Sequence, residues 1–265
     1  RNNSKIKKIL NFSRKHKIFF LDTAFSYIKD EKILDLISYS KLKIISKFSL
    51  KDLNLKNFDD KIFYQLFNLY LKKLKKKQIY ALLLHNVNDL KKKTNRNNLI
   101  RCLKFLKKKK VVKKIGVSVY EPFQMKIILK YWTPDIVQIP INPLNTSFLK
   151  DKFINKLKKR KIEIHARSIF LQGTILKNVN KLPNIVKRKK NLFIKWNNWC
   201  KKNNLSKLKA AILFIKTNKK IDKMVIGLDK VENLKQIVGI VNNDVHKENN
   251  FFEINKNAGI DPRKW

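Results

Sequence analysis

The chain has 265 residues, 43% of them hydrophobic and 11% aromatic, and its 63 Lys+Arg against 19 Asp+Glu give a formal net charge of +44. That apolar content supports a sizeable core and excludes wholesale disorder, and 2 Cys are too few for a disulfide framework. The longest apolar runs, Ile79–His85 and Val111–Val119, are too short to span a bilayer and nothing resembles a signal peptide, so a cytoplasmic protein without a membrane span is expected.

The predicted elements alternate along the chain. Ser4–Lys15 reads as a helix, followed by an apolar strand at Ile18–Ala24, an amphipathic stretch at Asp30–Ser40, a strand at Lys43–Phe48 and a helix at Asp59–Lys77. Strand Ile79–His85 then precedes helix Asn97–Lys110, strand Lys114–Ser118 precedes helix Pro122–Tyr131, and strand Ile136–Ile139 precedes helix Leu149–Arg160. Strand Ile162–Ala166, helix Leu192–Asn203, strand Lys223–Gly227 and helix Val231–Val241 complete the series.

Strands alternating with helices imply a parallel sheet with right-handed crossovers. Apolar runs without alternation fit strands covered on both faces. The candidates are a doubly wound open sheet and a TIM (β/α)8 barrel, and the lack of a Gly-x-Gly-x-x-Gly after any early strand disfavours the first. Helix Ser4–Lys15 should itself follow a strand, and the chain opens at Arg1 rather than at Met. The expectation is therefore one α/β TIM-barrel domain over residues 1–265 whose first strand is missing at the N-terminus.

The excess of positive charge suggests a polyanion partner, but 55 of the cations are Lys and only 8 are Arg, the side chain that phosphate and base recognition favours. The Lys-rich runs at Lys72–Lys77, Lys107–Lys110, Lys156–Lys161 and Lys187–Lys190 are scattered over surface helices, which reads as solvated faces and not as a specific nucleic-acid site. Cys102 and Cys200 have no His or second Cys at ligand spacing, so no metal site is expected and both read as reduced structural thiols.

Catalytic groups of a parallel barrel gather at the C-terminal ends of its strands. Three consecutive predicted strands carry ionisable residues there: Asp22, Lys47 and His85, with Tyr27 in the loop after the first. A buried Asp or Lys is costly unless paired, so Asp22 and Lys47 on adjacent strands should form an ion pair.

These segments resemble the aldo/keto reductases. Leu21-Asp22-Thr23-Ala24-Phe25-Ser26-Tyr27, with Glu31 downstream, is similar to the family's Asp-Thr-Ala-x-x-Tyr signature. Ile45-Ser46-Lys47 resembles the strand that carries its lysine, and Leu82-Leu83-Leu84-His85-Asn86 the strand that carries its histidine. Lys114-Ile115-Gly116-Val117-Ser118, Val137-Gln138, Arg167-Ser168-Ile169-Phe170-Leu171-Gln172-Gly173 and Val225-Ile226-Gly227 resemble the cofactor segments in the same order.

The resemblance implies hydride transfer from NADPH, with NADH as the alternative, to the carbonyl of a small aldehyde or ketone. Tyr27 would be the general acid, Lys47 would lower its pKa, Asp22 would hold Lys47, and His85 would orient the carbonyl. An isolated Tyr has a pKa of about 10 and needs a nearby cation to act near neutrality. A Lys about 4 Å away at an effective dielectric near 20 contributes up to about 4 kcal/mol. Ser118 and Gln138 match positions that bind the nicotinamide carboxamide, Ser168, Phe170 and Gly173 the loop along ribose and pyrophosphate, and Gly227 the start of the adenosine-phosphate grip. The chain departs from the pattern at Val119, where many members have Asn, and at Arg167, which stands where an aromatic residue commonly stacks on nicotinamide. Those departures motivate a second reading, a catalytically weakened barrel serving as a nucleotide-binding or regulatory protein. The loops at Asn86–Arg96 and Thr174–Lys190 are expected to shape the substrate mouth.

Overall fold

The computed structural model describes residues 2–26, 31–38 and 41–243, without the side chains of residues 2, 3, 31–33 and 151. In chain order the elements are α1 (Asn2–Lys15), β1 (Phe20–Asp22), α2 (Glu31–Ser38), β2 (Lys43–Phe48), α3 (Asp60–Lys73), β3 (Ile79–Leu84), α4 (Lys93–Lys108), β4 (Val112–Ser118), α5 (Pro122–Ile128) and β5 (Ile136–Pro140). They continue with α6 (Phe153–Lys159), β6 (Glu163–Arg167), α7 (Asn184–Lys187), α8 (Lys190–Lys202), α9 (Lys207–Lys216), β7 (Lys223–Met224) and α10 (Val231–Asn243). The strand order in the sheet follows the sequence, β1-β2-β3-β4-β5-β6-β7. Among the described residues the first element is a helix, and no helix is long and apolar enough to cross a membrane.

Two compact units share these elements. The first comprises Arg1–Val119, Phe123–Val137 and Asp229–Val231. Its strands β1 to β4 pair in parallel, with Asp22 opposite Ile45, Lys47 opposite Leu83 and Leu83 opposite Gly116. Side chains alternate across a strand, so Ile45 and Lys47 share a face with Ala81, Leu83 and Gly116. On that face Ile45, Ala81, Leu83 and Ile136 pack into one apolar cluster. Gly116 is required there, because a Cβ would collide with the Ile136 carbonyl oxygen and the Leu83 side chain.

The opposite face is covered by helices. Asp59 caps α3 by accepting from the Ile62 N–H at 2.8 Å, and Phe63, Phe67 and Tyr70 of that helix are buried against Phe25 and Phe48. In α4 the buried residues Leu99, Cys102, Leu103 and Leu106 recur at helical spacing, so a single stripe faces the sheet. Asp135 closes the seam before β5. Its backbone N–H donates to the Ile115 carbonyl at 2.8 Å, while its carboxylate accepts from the Ile115 N–H at 3.0 Å and from Lys107 Nζ at 2.7 Å.

The second unit comprises Tyr120–Pro122, Gln138–Leu228 and Glu232–Trp265. In it β6 and β7 pair in parallel, His165 opposite Lys223. Asp222 repeats the seam of Asp135: its N–H donates to the Ile164 carbonyl at 2.8 Å, and its carboxylate accepts from the Ile164 N–H at 2.7 Å and from Lys158 Nζ at 2.8 Å. Helix α8 buries Phe193, Trp196 and Cys200, and the Trp196 indole N–H donates to the Ile175 carbonyl at 3.1 Å.

The structure differs from the sequence-based reading at α9, β7 and β1, and the loop expected over Thr174–Lys190 holds two 3-10 turns and the short helix α7. Helix α9 was not expected: Ala210 to Ile215 are all buried, so the segment shows no amphipathic period from which a helix could be read. Strand β7 has two residues where Lys223–Gly227 was expected, and β1 has three where Ile18–Ala24 was expected. Short strands at the two ends of the strand order have a neighbour on only one side, so fewer of their residues join the ladder.

Candidate active site

Asp22 is the last residue of β1 and Lys47 the penultimate residue of β2. The expected ion pair forms between Lys47 Nζ and Asp22 Oδ1, with the two side chains 12% and 23% exposed. The Thr23 N–H donates to the Ile45 carbonyl at 2.8 Å, extending the ladder past Asp22 and fixing it beside β2. Tyr70 of α3 lies near this pair. Its phenol is pushed up to about 12, chiefly by burial, with the Asp22 charge adding to the rise and the Ser46 and Thr23 hydroxyls opposing it. Tyr70 therefore keeps its proton near neutrality and serves as a packing residue.

Tyr27 lies outside the described residues. His85 follows directly on β3, and its backbone N–H donates to the Phe48 carbonyl at 2.6 Å, which seats it beside the end of β2. Its Nδ1 lies 3.7 Å from Asp52 Oδ2. The expected loop at Asn86–Arg96 holds a 3-10 turn over Val87–Leu90, capped by the Asn86 side chain, and the first residues of α4. Ser118 ends β4 and is buried, as is Val119 after it. Asp22, Lys47, His85 and Ser118 thus stand at the C-terminal ends of four consecutive strands of the first unit.

The remaining candidates belong to the second unit. Gln138 is buried in β5. Arg167 ends β6, and its guanidinium carbon lies 4.0 Å from the centroid of the Tyr120 ring, so one planar face is covered by an aromatic residue of the chain itself. Arg167 also donates to Ser168 Oγ at 3.2 Å. The segment that follows is conformationally unusual, with φ of 57° at Ser168, 47° at Leu171, 54° at Gln172 and 81° at Gly173. Left-handed backbone at non-glycine residues is costly and collects where the surrounding structure enforces it for a purpose. Phe170 is half-buried beside this turn, while Gly227 is exposed with open space where its Cβ would be.

Three residues that support these candidates were not singled out in the sequence. Asn142 is fully buried and donates to the Ser168 carbonyl at 3.0 Å while accepting from the Leu144 N–H at 2.9 Å. Its signal was the Asn142-Pro143 dipeptide, which marks a turn after β5. Tyr120 had no signal beyond its place two residues after Ser118, and Asp52 lay in a loop with no periodicity to place it.

Chemically, the first unit supplies a cation held by a carboxylate and an imidazole with a second carboxylate 3.7 Å away, and the second supplies buried amides and a left-handed backbone turn. Among the described residues no group of three or more His, Cys, Asp or Glu is placed to hold a metal ion.

A protein-family model described as the aldo/keto reductase family matches residues 2–256. No curated protein sequence matches the chain. Among solved structures it is similar to the aldo-keto reductase AKR11C1 from Bacillus halodurans in its holo form, at TM-score 0.70 and 13% identity over 93% of this chain and 84% of that one. The apo form of the same protein gives 0.71, with the same identity and coverage. A candidate aldo-keto reductase from Pseudomonas aeruginosa gives 0.63 at 15% identity, over 91% of this chain and 83% of that one. These likenesses show the fold, a TIM-like barrel in class, as the alternating strands and helices implied. The chain belongs to the aldo/keto reductase family, whose members are in general NAD(P)H-dependent oxidoreductases of small-molecule carbonyl compounds.

Proposed function

We propose that this chain reduces an aldehyde or ketone with NADPH, with Tyr27 as the general acid. The observation that carries the reading is the ion pair of Lys47 and Asp22 at the ends of adjacent strands. A cation at that place has a use beyond packing: it lowers the cost of the phenolate that remains once a tyrosine has given its proton to a carbonyl oxygen. Asp22 keeps the Lys47 ammonium aimed, and His85 orients the carbonyl oxygen.

The cofactor, when bound, supplies the hydride that adds to the carbonyl carbon. The residues present fit such a group. Ser118 in the first unit and Gln138 in the second are each buried polar side chains of a kind that hydrogen-bonds a carboxamide, and Gly173 offers left-handed backbone with no atom within 4 Å of its Cβ position. Ser168 and Phe170 line the same turn, and Gly227 gives unobstructed backbone after β7. Arg167, whose guanidinium carbon lies 4.0 Å from the Tyr120 ring centroid, would stack on the nicotinamide. A single domain over residues 1–265 and a cytoplasmic location complete the proposal, the latter supported by two buried free thiols.

The test titrates NADPH and NADH separately while following the fluorescence of the 4 Trp, then compares carbonyl reduction by the wild type and Tyr27→Phe. Saturable binding in the micromolar range is expected, tighter for NADPH. Turnover should fall about 10²–10⁴-fold in the variant with cofactor affinity unchanged. A folded protein that binds neither cofactor overturns the reading, and unchanged turnover removes Tyr27 from it.

A further inference from the structure

We propose that Asp52 is the positioning residue of His85: its carboxylate, 3.7 Å from Nδ1, attracts the ring and favours its doubly protonated form, so that Nε2–H is presented as a donor to a carbonyl oxygen. The inference rests on the carbonyl-orienting role of His85 proposed above.

The geometry is built from two loops tied together. Asp52 Oδ2 lies 3.7 Å from His85 Nδ1, at side-chain exposures of 20% and 40%. Asp52 is itself fixed, because Ser49 Oγ donates to Oδ2 at 2.8 Å and the Asp52 N–H donates back to Ser49 Oγ at 3.1 Å. The turn after β2 is in turn anchored to the 3-10 turn after His85, where the Leu50 N–H donates to Asp89 Oδ2 at 2.8 Å. One loop therefore carries the carboxylate, the other carries the imidazole, and a hydrogen bond sets their separation.

The proton count follows from the donor and acceptor inventory. At 3.7 Å the contact is an ion-pair distance and not a hydrogen bond, and a carboxylate facing Nδ1 favours a proton there. In a neutral ring that leaves Nε2 with a lone pair, which cannot donate to a carbonyl oxygen. Donation from Nε2 with Asp52 at Nδ1 therefore requires the imidazolium, and nearby negative charge favours that form. Asp52 and Asp89 act on His85 from the two loops, and Lys47, one residue before the Phe48 whose carbonyl accepts from the His85 N–H, is a cation on the neighbouring strand that works against protonation. Burial pushes the Asp89 carboxyl up, and the charge of Asp52 pushes the same way, while the Leu50 N–H and His85 pull it down. Asp89 and His85 thus share an electrostatic environment with Asp52.

The sign is fixed by this arrangement. Carboxylates raise the imidazole midpoint, so the donor form of His85 is present below that midpoint and is lost as pH rises through it. Removing the charge of Asp52 moves the loss to lower pH.

The decisive measurement is the pH titration of the His85 ring by ¹H–¹⁵N NMR on the whole chain, which has only 4 His, with the resonance assigned by its disappearance in His85→Gln. In Asp52→Asn the His85 midpoint should fall by about one pH unit, and in Ser49→Ala, which only loosens Asp52, by less. The alkaline limb of kcat for carbonyl reduction should shift in the same direction. An unchanged His85 midpoint in folded Asp52→Asn overturns the proposal, and if that variant does not fold, an unchanged midpoint in Ser49→Ala does so. The ring titration needs neither cofactor nor substrate, so its result is separate from any failure of the reductase reading.

Discussion

Lys47 on β2 reaches Asp22, the final residue of β1, and the two close an ion pair between neighbouring parallel strands. Neither side chain is in open water, so removing one leaves the other partly desolvated and unmatched. The pair is a structural joint, and in the proposed reaction it also seats the cation that acts on Tyr27.

Lys47→Met should separate these roles. Turnover is expected to fall by about 10²–10⁴-fold. Stability should fall by about 1–2 kcal/mol from the Asp22 charge left behind. The double variant Lys47→Met with Asp22→Leu should regain most of the stability and none of the turnover. Urea midpoints and NADPH-coupled turnover on the same three proteins check this, and full activity in Lys47→Met would exclude the cation from the reaction.

Gly173 and Gly227 make a controlled comparison. Gly173 has a left-handed φ of 81°, whereas both positions have open space for a Cβ. Gly173→Ala should therefore cost about 1–2 kcal/mol from backbone strain alone, and Gly227→Ala should be close to neutral. Thermal melts of the two variants decide it; equal losses would mean that the strain argument is misplaced.

The thiols should be inert in the folded chain. Burial pushes Cys102 up to about 12 and Cys200 up to about 11, so very little thiolate is present near neutrality. A chromogenic disulfide reagent at about pH 8 should find no fast-reacting thiol in the native protein and both Cys in urea. Rapid native labelling of either residue would contradict its burial.

Much of the first unit was legible because its strands and helices obey one period at a time. Strand β2 coincides with Lys43–Phe48, β3 stops one residue short of the expected His85, and the Asp22–Lys47 pair follows from burial logic alone. Legibility fails where burial is complete or conformation is local. Helix α9 buries every side of its central residues and so has no polar face to mark it. Asn142 and Asp52 act through single hydrogen bonds and charges in turns, which no hydropathy pattern encodes. The left-handed run from Leu171 to Gly173 was half visible: Gly173 advertised it, but Leu171 and Gln172 adopt that backbone against their own preference.

Asp135 and Asp222 perform one task at two loop lengths, and the two seams differ in what their closure costs. Asp135 finds Ile115 across 20 residues and Lys107 across 28, whereas Asp222 reaches back 58 residues to Ile164 and 64 to Lys158. Closing the longer loop costs about 0.9 kcal/mol more chain entropy if both are flexible before closure. The first seam is therefore the cheaper to close, and α7, α8 and α9, once formed, shorten the path between the ends of the second. Two joints of the same chemistry thus differ in the chain entropy that each must overcome.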